Sequence, residues 1–217
     1  MPLNLTKPIL YLITGGATTE ATKPSDGEFQ DVLALVSAAV AAGIQLIQIR
    51  EKRLSGRRLF ELTAQAAEIT RGTSTRLLVN DRADVATTAG ADGVHLTTTS
   101  LAAGIVRAAF GKRLLIGAST HSVAELKAAR DGGADFAVFG PVYETASKMR
   151  YGRPVGLESL SRAVNQVAPF PVLAIGGLSA ENTTDCLRAG VTGVAGISLF
   201  ADAAALKQTV DKLTSLK

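Results

Sequence analysis

The sequence predicts an α/β chain folded as a single (β/α)8 barrel. Three observations carry the prediction. Short, continuous apolar runs alternate with amphipathic segments eight times along the 217 residues. The runs are largely β-branched, as strands buried on both faces are. Amide, hydroxyl and basic residues recur just past the ends of the runs. If the runs are parallel strands, those groups gather at one edge, the C-terminal edge, where barrels and open α/β sheets bind their ligands.

The expected strands are Ile9–Thr14, Leu46–Ile49, Arg76–Val79, Gly93–Leu96, Leu114–Ala118, Phe136–Phe139, Val172–Ile175 and Gly193–Ile197. The segments between them read as helices. Val32, Leu35, Val36, Ala39 and Val40 share one helical face, and Leu59, Leu62, Ala66 and Ile69 share another. Leu157, Leu160, Val164 and Val167 repeat the spacing, as do Leu206, Val210 and Leu213. Gly43, Gly90, the Gly132-Gly133 pair and Gly190 stand where a left-handed C-cap would end a helix before the next strand. An open doubly wound sheet gives the same local pattern, but eight units without an evident edge strand favour closure. About 200 residues is the lower end of the barrel's size range. No linker or break in composition divides the chain, so residues 1–217 are expected to form one domain. The longest irregular stretches, Gly15–Gly27 and Pro141–Pro154, both follow strands and belong on the ligand-binding face.

Hydrophobic residues make up 47% of the chain, but Trp is absent and aromatics are only 5%, so aliphatic side chains must fill the core. The net charge of +4 is spread along the chain with no basic run, which argues against a nucleic-acid arm. A single cysteine, Cys186, excludes an internal disulfide and reads as a buried, inert thiol on a helix. Met1–Lys7 lacks the charged and apolar regions of a signal peptide, and no apolar stretch reaches membrane-spanning length. A cytoplasmic protein acting on small molecules, without membrane or nucleic acid, is expected. A homodimer is left open.

The candidate site residues follow from the strand ends. Past the second run, Gln48, Arg50 and Lys52 share one side of an extended segment, so both cations face one volume with Gln48 pointing into the barrel. The bland alternative is an Arg50-Glu51-Lys52 surface turn. Lys148, past the sixth run, supplies a third cation. Three cations converging on one cleft repel each other unless an anion is present, and a diphosphate suits them. Asn80-Asp81-Arg82 ends the third run. Asp81 could hold Mg2+, which takes one or two carboxylates plus waters and phosphates, or it could cap the next helix. Gly176-Gly177 and Ile197-Ser198 end the seventh and eighth runs. The loops there commonly form the phosphate site of such barrels, with backbone N–H groups as donors. The bland alternative is a tight turn. His95 and His121 are the only histidines. His121 is the better catalytic candidate, because His95 alternates with residues that pack the interior.

The set Gln48-Ile49-Arg50-Glu51-Lys52, Asn80-Asp81-Arg82, Ala91–Leu96, Phe139–Thr145 with Ser147-Lys148, and Ala174–Gly177 resembles the thiamine phosphate synthase and thiazole tautomerase family, over essentially the whole chain. The resemblance implies a (β/α)8 fold and a transferase that joins hydroxymethylpyrimidine diphosphate to a thiazole phosphate. It implies that Arg50, Lys52, Asn80, Ser119 and Lys148 hold the pyrophosphate and that Gln48 contacts the pyrimidine. Thr145, Ser147, Gly177, Ile197 and Ser198 would surround the thiazole phosphate. It also implies Mg2+ on Asp81, at a weakened site. Where the synthase carries its second acidic ligand, this chain has Ser100 in His95-Leu96-Thr97-Thr98-Thr99-Ser100. The tautomerase branch lacks that acid too and uses a histidine corresponding to His121, whereas Lys52 and Asp81 are synthase features. A thiazole tautomerase, or a barrel that binds thiazole phosphate without catalysis, stand as the alternatives.

Overall fold

The computed structural model of the protein describes residues 8–145 and 154–215. Eight parallel strands, β1 (Ile9–Ile13), β2 (Leu46–Ile49), β3 (Arg76–Asn80), β4 (Gly93–Leu96), β5 (Leu115–Thr120), β6 (Phe136–Phe139), β7 (Val172–Ile175) and β8 (Gly193–Gly196), close into a barrel in chain order. Closure is made by β1 pairing with β8, Ile9 opposite Gly193 and Leu12 opposite Gly196. The helices between them are α1 (Gly27–Ala42), α2 (Gly56–Thr70), α3 (Ala83–Thr88), α4 (Ala103–Phe110), α5 (Val123–Asp131), α6 (Gly156–Val167), α7 (Thr183–Arg188) and α8 (Leu206–Thr214). The expected strands match within two residues at either end. The largest difference is β5, which continues through Ser119 and Thr120. Thr120 is held there by its own hydroxyl, which donates to Val138 O at 2.9 Å.

Local chemistry sets the helix ends. Ser55 caps α2, its side chain accepting from the Arg58 amide, and Ser122 caps α5 by accepting from the Glu125 amide. Gly43, Gly90, Gly133 and Gly190 all take positive φ, as expected of glycines that close helices in the left-handed region.

Two cores result from the strand alternation. Residues pointing outward, such as Leu10, Leu12, Ile47, Ile49, Leu77 and Val79, pack against the helices. Those pointing inward, Ile9, Tyr11, Ile13, Leu46, Leu78, Phe136, Val138, Leu173 and Ala195, fill the barrel. The Tyr11 and Phe136 rings meet edge to face at 5.5 Å, and His95 lies 5.6 Å from Tyr11. With so few aromatics elsewhere, these rings close the interior. Truncating Phe136 to Ala should cost about 3–5 kcal/mol. The inward positions turn polar toward the C-terminal end: Gln48, Asn80, His95 and Ser119 follow the apolar layers on β2 to β5. That change in polarity marks the floor of the site. Among the described residues no helix is long and apolar enough to cross a membrane.

Candidate active site

The polar floor is ordered by a short relay. The Tyr11 hydroxyl donates to Gln48 Oε1 at 3.0 Å, and Gln48 Nε2 donates to Asn80 Oδ1 at 3.0 Å. Burial pushes the Tyr11 phenol well above its ordinary pKa, so it stays a neutral donor. With Oδ1 committed, Asn80 has its NH2 group to offer upward, and an NH2 donates to an anion. Gln48 is buried with both ends of its amide engaged, so it orients Asn80 as well as bordering the site. Beside them, His95 Nε2 and Ser119 Oγ are 3.0 Å apart. His95 is buried among the rings, as expected of an interior residue.

Past the ends of β2, β3 and β4, adjoining the floor at Asn80, lies a cavity of ≈ 310 Å³. Ile49, Leu54 and Leu59 form its apolar wall, and Glu51, Lys52, Asn80, Asp81, Arg82, Thr97 and Thr99 line the rest. The Lys52 ammonium has a lowered pKa. Loss of hydration is the main cause and the Arg50 charge the second, while Asp81 acts in the opposite direction. Arg50 and Asp81 are thus near enough for their charges to act on Lys52, although Arg50 and Gln48 do not line the cavity. Arg82 is turned aside: its guanidinium clasps Asp84 with bonds of 2.8 and 2.6 Å.

Asp81 does not cap α3. Arg82 occupies the cap position, with no side-chain cap bond. Asp81 is instead the one described non-glycine residue at positive φ, 64°, held by its amide donating to His95 O at 2.9 Å. A backbone in that region costs about 1–3 kcal/mol and persists where its surroundings impose it, often at a functional site. Glu51, to which the sequence assigns no role, is buried and accepts hydrogen bonds from Thr14, Gly16 and Thr18. The cavity therefore has one carboxylate to spare, Asp81. Among the described residues no group of three or more His, Cys, Asp or Glu side chains forms a metal cage. One carboxylate, two threonine hydroxyls and a phosphorylated ligand still fit Mg2+, which keeps most of its waters and takes phosphate oxygens. Ser100 is not among the lining residues. Its hydroxyl accepts from the Thr97 amide at 2.8 Å, closing its own turn.

On the far side, Gly176 and Gly177 have φ of 98° and 65°. A Cβ on Gly177 would come within 2.4 Å of Glu144 O and 2.8 Å of Tyr143 Cβ. The glycine pair thus has a packing reason, the close approach of the β6–α6 loop, in addition to any ligand. Asn182 ties the turn by donating to Gly177 O at 2.9 Å. Ile197 is the N-cap of a 3-10 turn, Ser198–Phe200, next to it on the rim, and Ser198 is exposed. His121 sits one residue past β5. Its Nδ1 bonds to Gly140 O, which fixes Nδ1 as the protonated nitrogen because a carbonyl only accepts. Its amide donates to Glu125 Oε2 at 2.6 Å. Thr145 is half-buried at the end of the described part of the β6–α6 loop. Ser147 and Lys148 lie outside the described residues. Cys186 is fully buried on α7, and burial pushes its thiol up to about 11, which leaves it inert at neutral pH.

A parallel barrel with a cation-lined cavity over β2–β4 and a glycine turn over β7–β8 is the architecture of an enzyme that handles phosphorylated small molecules. The family model described as thiamine monophosphate synthase matches residues 10–200, and the chain belongs to that family. A thiamine-phosphate synthase of Chlorobium luteolum is 36% identical over 209 residues, 96% of this chain and 92% of that protein. One from Chloroflexus aurantiacus is 39% identical over 166 residues, 76% of either chain. Among solved structures, a thiamine phosphate pyrophosphorylase from Pyrococcus furiosus superposes with a TM-score of 0.78 at 31% identity, covering 95% of this chain and 94% of its own.

Proposed function

We propose that this chain is a thiamine phosphate synthase, a transferase joining hydroxymethylpyrimidine diphosphate to a thiazole phosphate with release of pyrophosphate. The observation that carries the reading is the cavity past β2–β4, where Lys52, Asn80 and Asp81 face one volume with Arg50 beside it. A family member in which those groups face one volume is equipped to hold a departing diphosphate.

The bond between the pyrimidine methylene carbon and the diphosphate oxygen breaks, its electron pair leaving with the oxygen. The thiazole nitrogen then gives its lone pair to that carbon. Charge therefore builds on the pyrophosphate as the bond stretches. Arg50 and Lys52, with Lys148 from the β6–α6 loop, stabilise it, and donors already in place cost no reorganisation at that moment. Asn80 adds its NH2 group and Ser119 a hydroxyl. Gln48 borders the pyrimidine. Thr145, Ser147, Gly177, Ile197 and Ser198 surround the thiazole phosphate, the last three through the β7–β8 rim. When bound, Mg2+ would be held by Asp81 and would screen the diphosphate charge. Residues 1–217 act as one barrel domain in the cytoplasm under this reading.

No step of this reaction needs a proton moved by His121. That role belongs to the alternative, isomerisation of a carboxythiazole phosphate. The deciding experiment supplies both synthase substrates with Mg2+ and measures pyrophosphate and thiamine phosphate. Formation of both is expected, and both should require Mg2+. No product at any Mg2+ level, together with His121-dependent isomerisation of the carboxythiazole phosphate, would exclude the synthase.

A further inference from the structure

Glu51 lies between two cations of the site, Arg50 and Lys52, yet forms an ion pair with neither. The residue is 2% exposed, and its carboxylate turns across to the β1–α1 loop. Oε1 accepts from the Thr14 hydroxyl at 2.6 Å and the Gly16 amide at 3.1 Å. Oε2 accepts from the Thr18 hydroxyl at 2.6 Å and the Thr18 amide at 3.2 Å. Among the described residues it makes no ion pair, so its charge is spent on hydroxyl and amide donors.

The bonds return to Arg50. The Thr14 hydroxyl gives its proton to Glu51, which leaves its oxygen to accept from the Arg50 amide at 2.8 Å. Gly16, at φ 78°, lies against the same residue: a Cβ there would stand 3.4 Å from Arg50 O and 3.7 Å from Arg50 Nη1. Arg53 closes the far side by donating to Thr18 O at 3.1 Å. The segment Thr14–Thr18 is thereby fastened to the rim of β2, and the Arg50 guanidinium rests on it.

We propose that Glu51 is a positioning residue of the reaction: it fastens the β1–α1 loop to β2 and through that loop aims Arg50 at the departing pyrophosphate. The inference rests on the synthase reading for the identity of the ligand. A buried carboxylate surrounded by four donors is a rigid support, and errors of about 1 Å in a charged contact can cost on the order of a hundredfold in rate. Glutamine at this position keeps one acceptor oxygen and sets an NH2 group against the donors that met the other, so the loop must move.

The test is a double-mutant cycle on the full chain, read as affinity for inorganic pyrophosphate with Mg2+ by titration calorimetry. Glu51→Gln and Arg50→Ala should each raise Kd about tenfold, and the double variant should stand within about twofold of Arg50→Ala, as for residues acting through one contact. Losses that multiply would reduce Glu51 to support of the fold, and an unchanged Kd in Glu51→Gln would remove its role altogether. Thr18→Val keeps the side-chain volume and deletes one donor. It should show the same non-additivity with Arg50→Ala, and it keeps the test open if Glu51→Gln does not fold. Glutamyl endopeptidase should cut after exposed Glu20 faster in Glu51→Gln than in wild type. A wild type that binds pyrophosphate but makes no thiamine phosphate would overturn the synthase reading and leave the role of Glu51 standing.

Discussion

The rim of this barrel does its work differently on its two sides. Over β2–β4 the polar groups are side chains: Lys52, Asn80, Asp81, Thr97 and Thr99 around a cavity, with Arg50 beside them. Over β7–β8 the groups are mostly backbone, from two glycines at positive φ and a single 3-10 turn. Side chains bring full charges, which suits a group whose charge grows during a reaction. Backbone amides bring fixed partial charges, which suits a phosphate that only has to be held. The first kind of site titrates and can be removed one residue at a time. The second is tied to the packing of the loop above it.

The contrast gives an order of effects. Arg50→Ala should lower kcat by roughly a hundredfold, about 2.7 kcal/mol of lost transition-state stabilisation, with KM for the thiazole phosphate unchanged. Lys148→Ala should match it. Single-turnover rates check both, and a change confined to KM would make these residues mere binders. On the other side, Gly177→Ala should act on the fold first, because its Cβ meets Glu144 O at 2.4 Å. A loss of about 1–3 kcal/mol in denaturant unfolding is expected. Full stability in that variant would mean that the β6–α6 loop gives way easily.

Ser198→Asp is the cleaner probe of the phosphate, since Ser198 is exposed. It should raise the Kd of the thiazole phosphate about tenfold, roughly 1.4 kcal/mol, and leave pyrophosphate affinity alone. Equal losses for both ligands would merge the two sides into one site. The smallest effect concerns pH. Lys52 has its pKa lowered by lost hydration and then by Arg50, so its charge fades at a lower pH than that of an ordinary lysine. The folded chain holds that proton less tightly than the unfolded one, so the group opposes folding at low pH. That opposition is relieved as pH rises from the folded value to the unfolded one. Pyrophosphate affinity should therefore fall along the alkaline limb, and Lys52→Arg should move that limb upward.

The strands and the C-cap glycines were legible because each depends on neighbours within a few residues. What was not legible depends on distant partners. Glu51 sits between two basic residues and gives no local sign of its role, because its four donors come from Thr14, Gly16 and Thr18, more than thirty positions away. Gly177 reads as a phosphate turn, and its collision with Tyr143 and Glu144 comes from another strand's loop. Ser119 and Thr120 are polar and suggest that β5 ends before them, yet pairing with Val138 and Phe139 carries the strand on. The hydroxyls that line the cavity past β4 are those of Thr97 and Thr99, a choice set by the turn that Ser100 closes.

The plugged interior also governs traffic. Tyr11, His95 and Phe136 seal the barrel beneath Gln48 and Asn80, so no passage leads through the centre and every molecule must come and go by the same mouth. Two reactants share that opening, as do two products. The direction of access is thus set by a few rings at the bottom of the dish, far from any bond that changes.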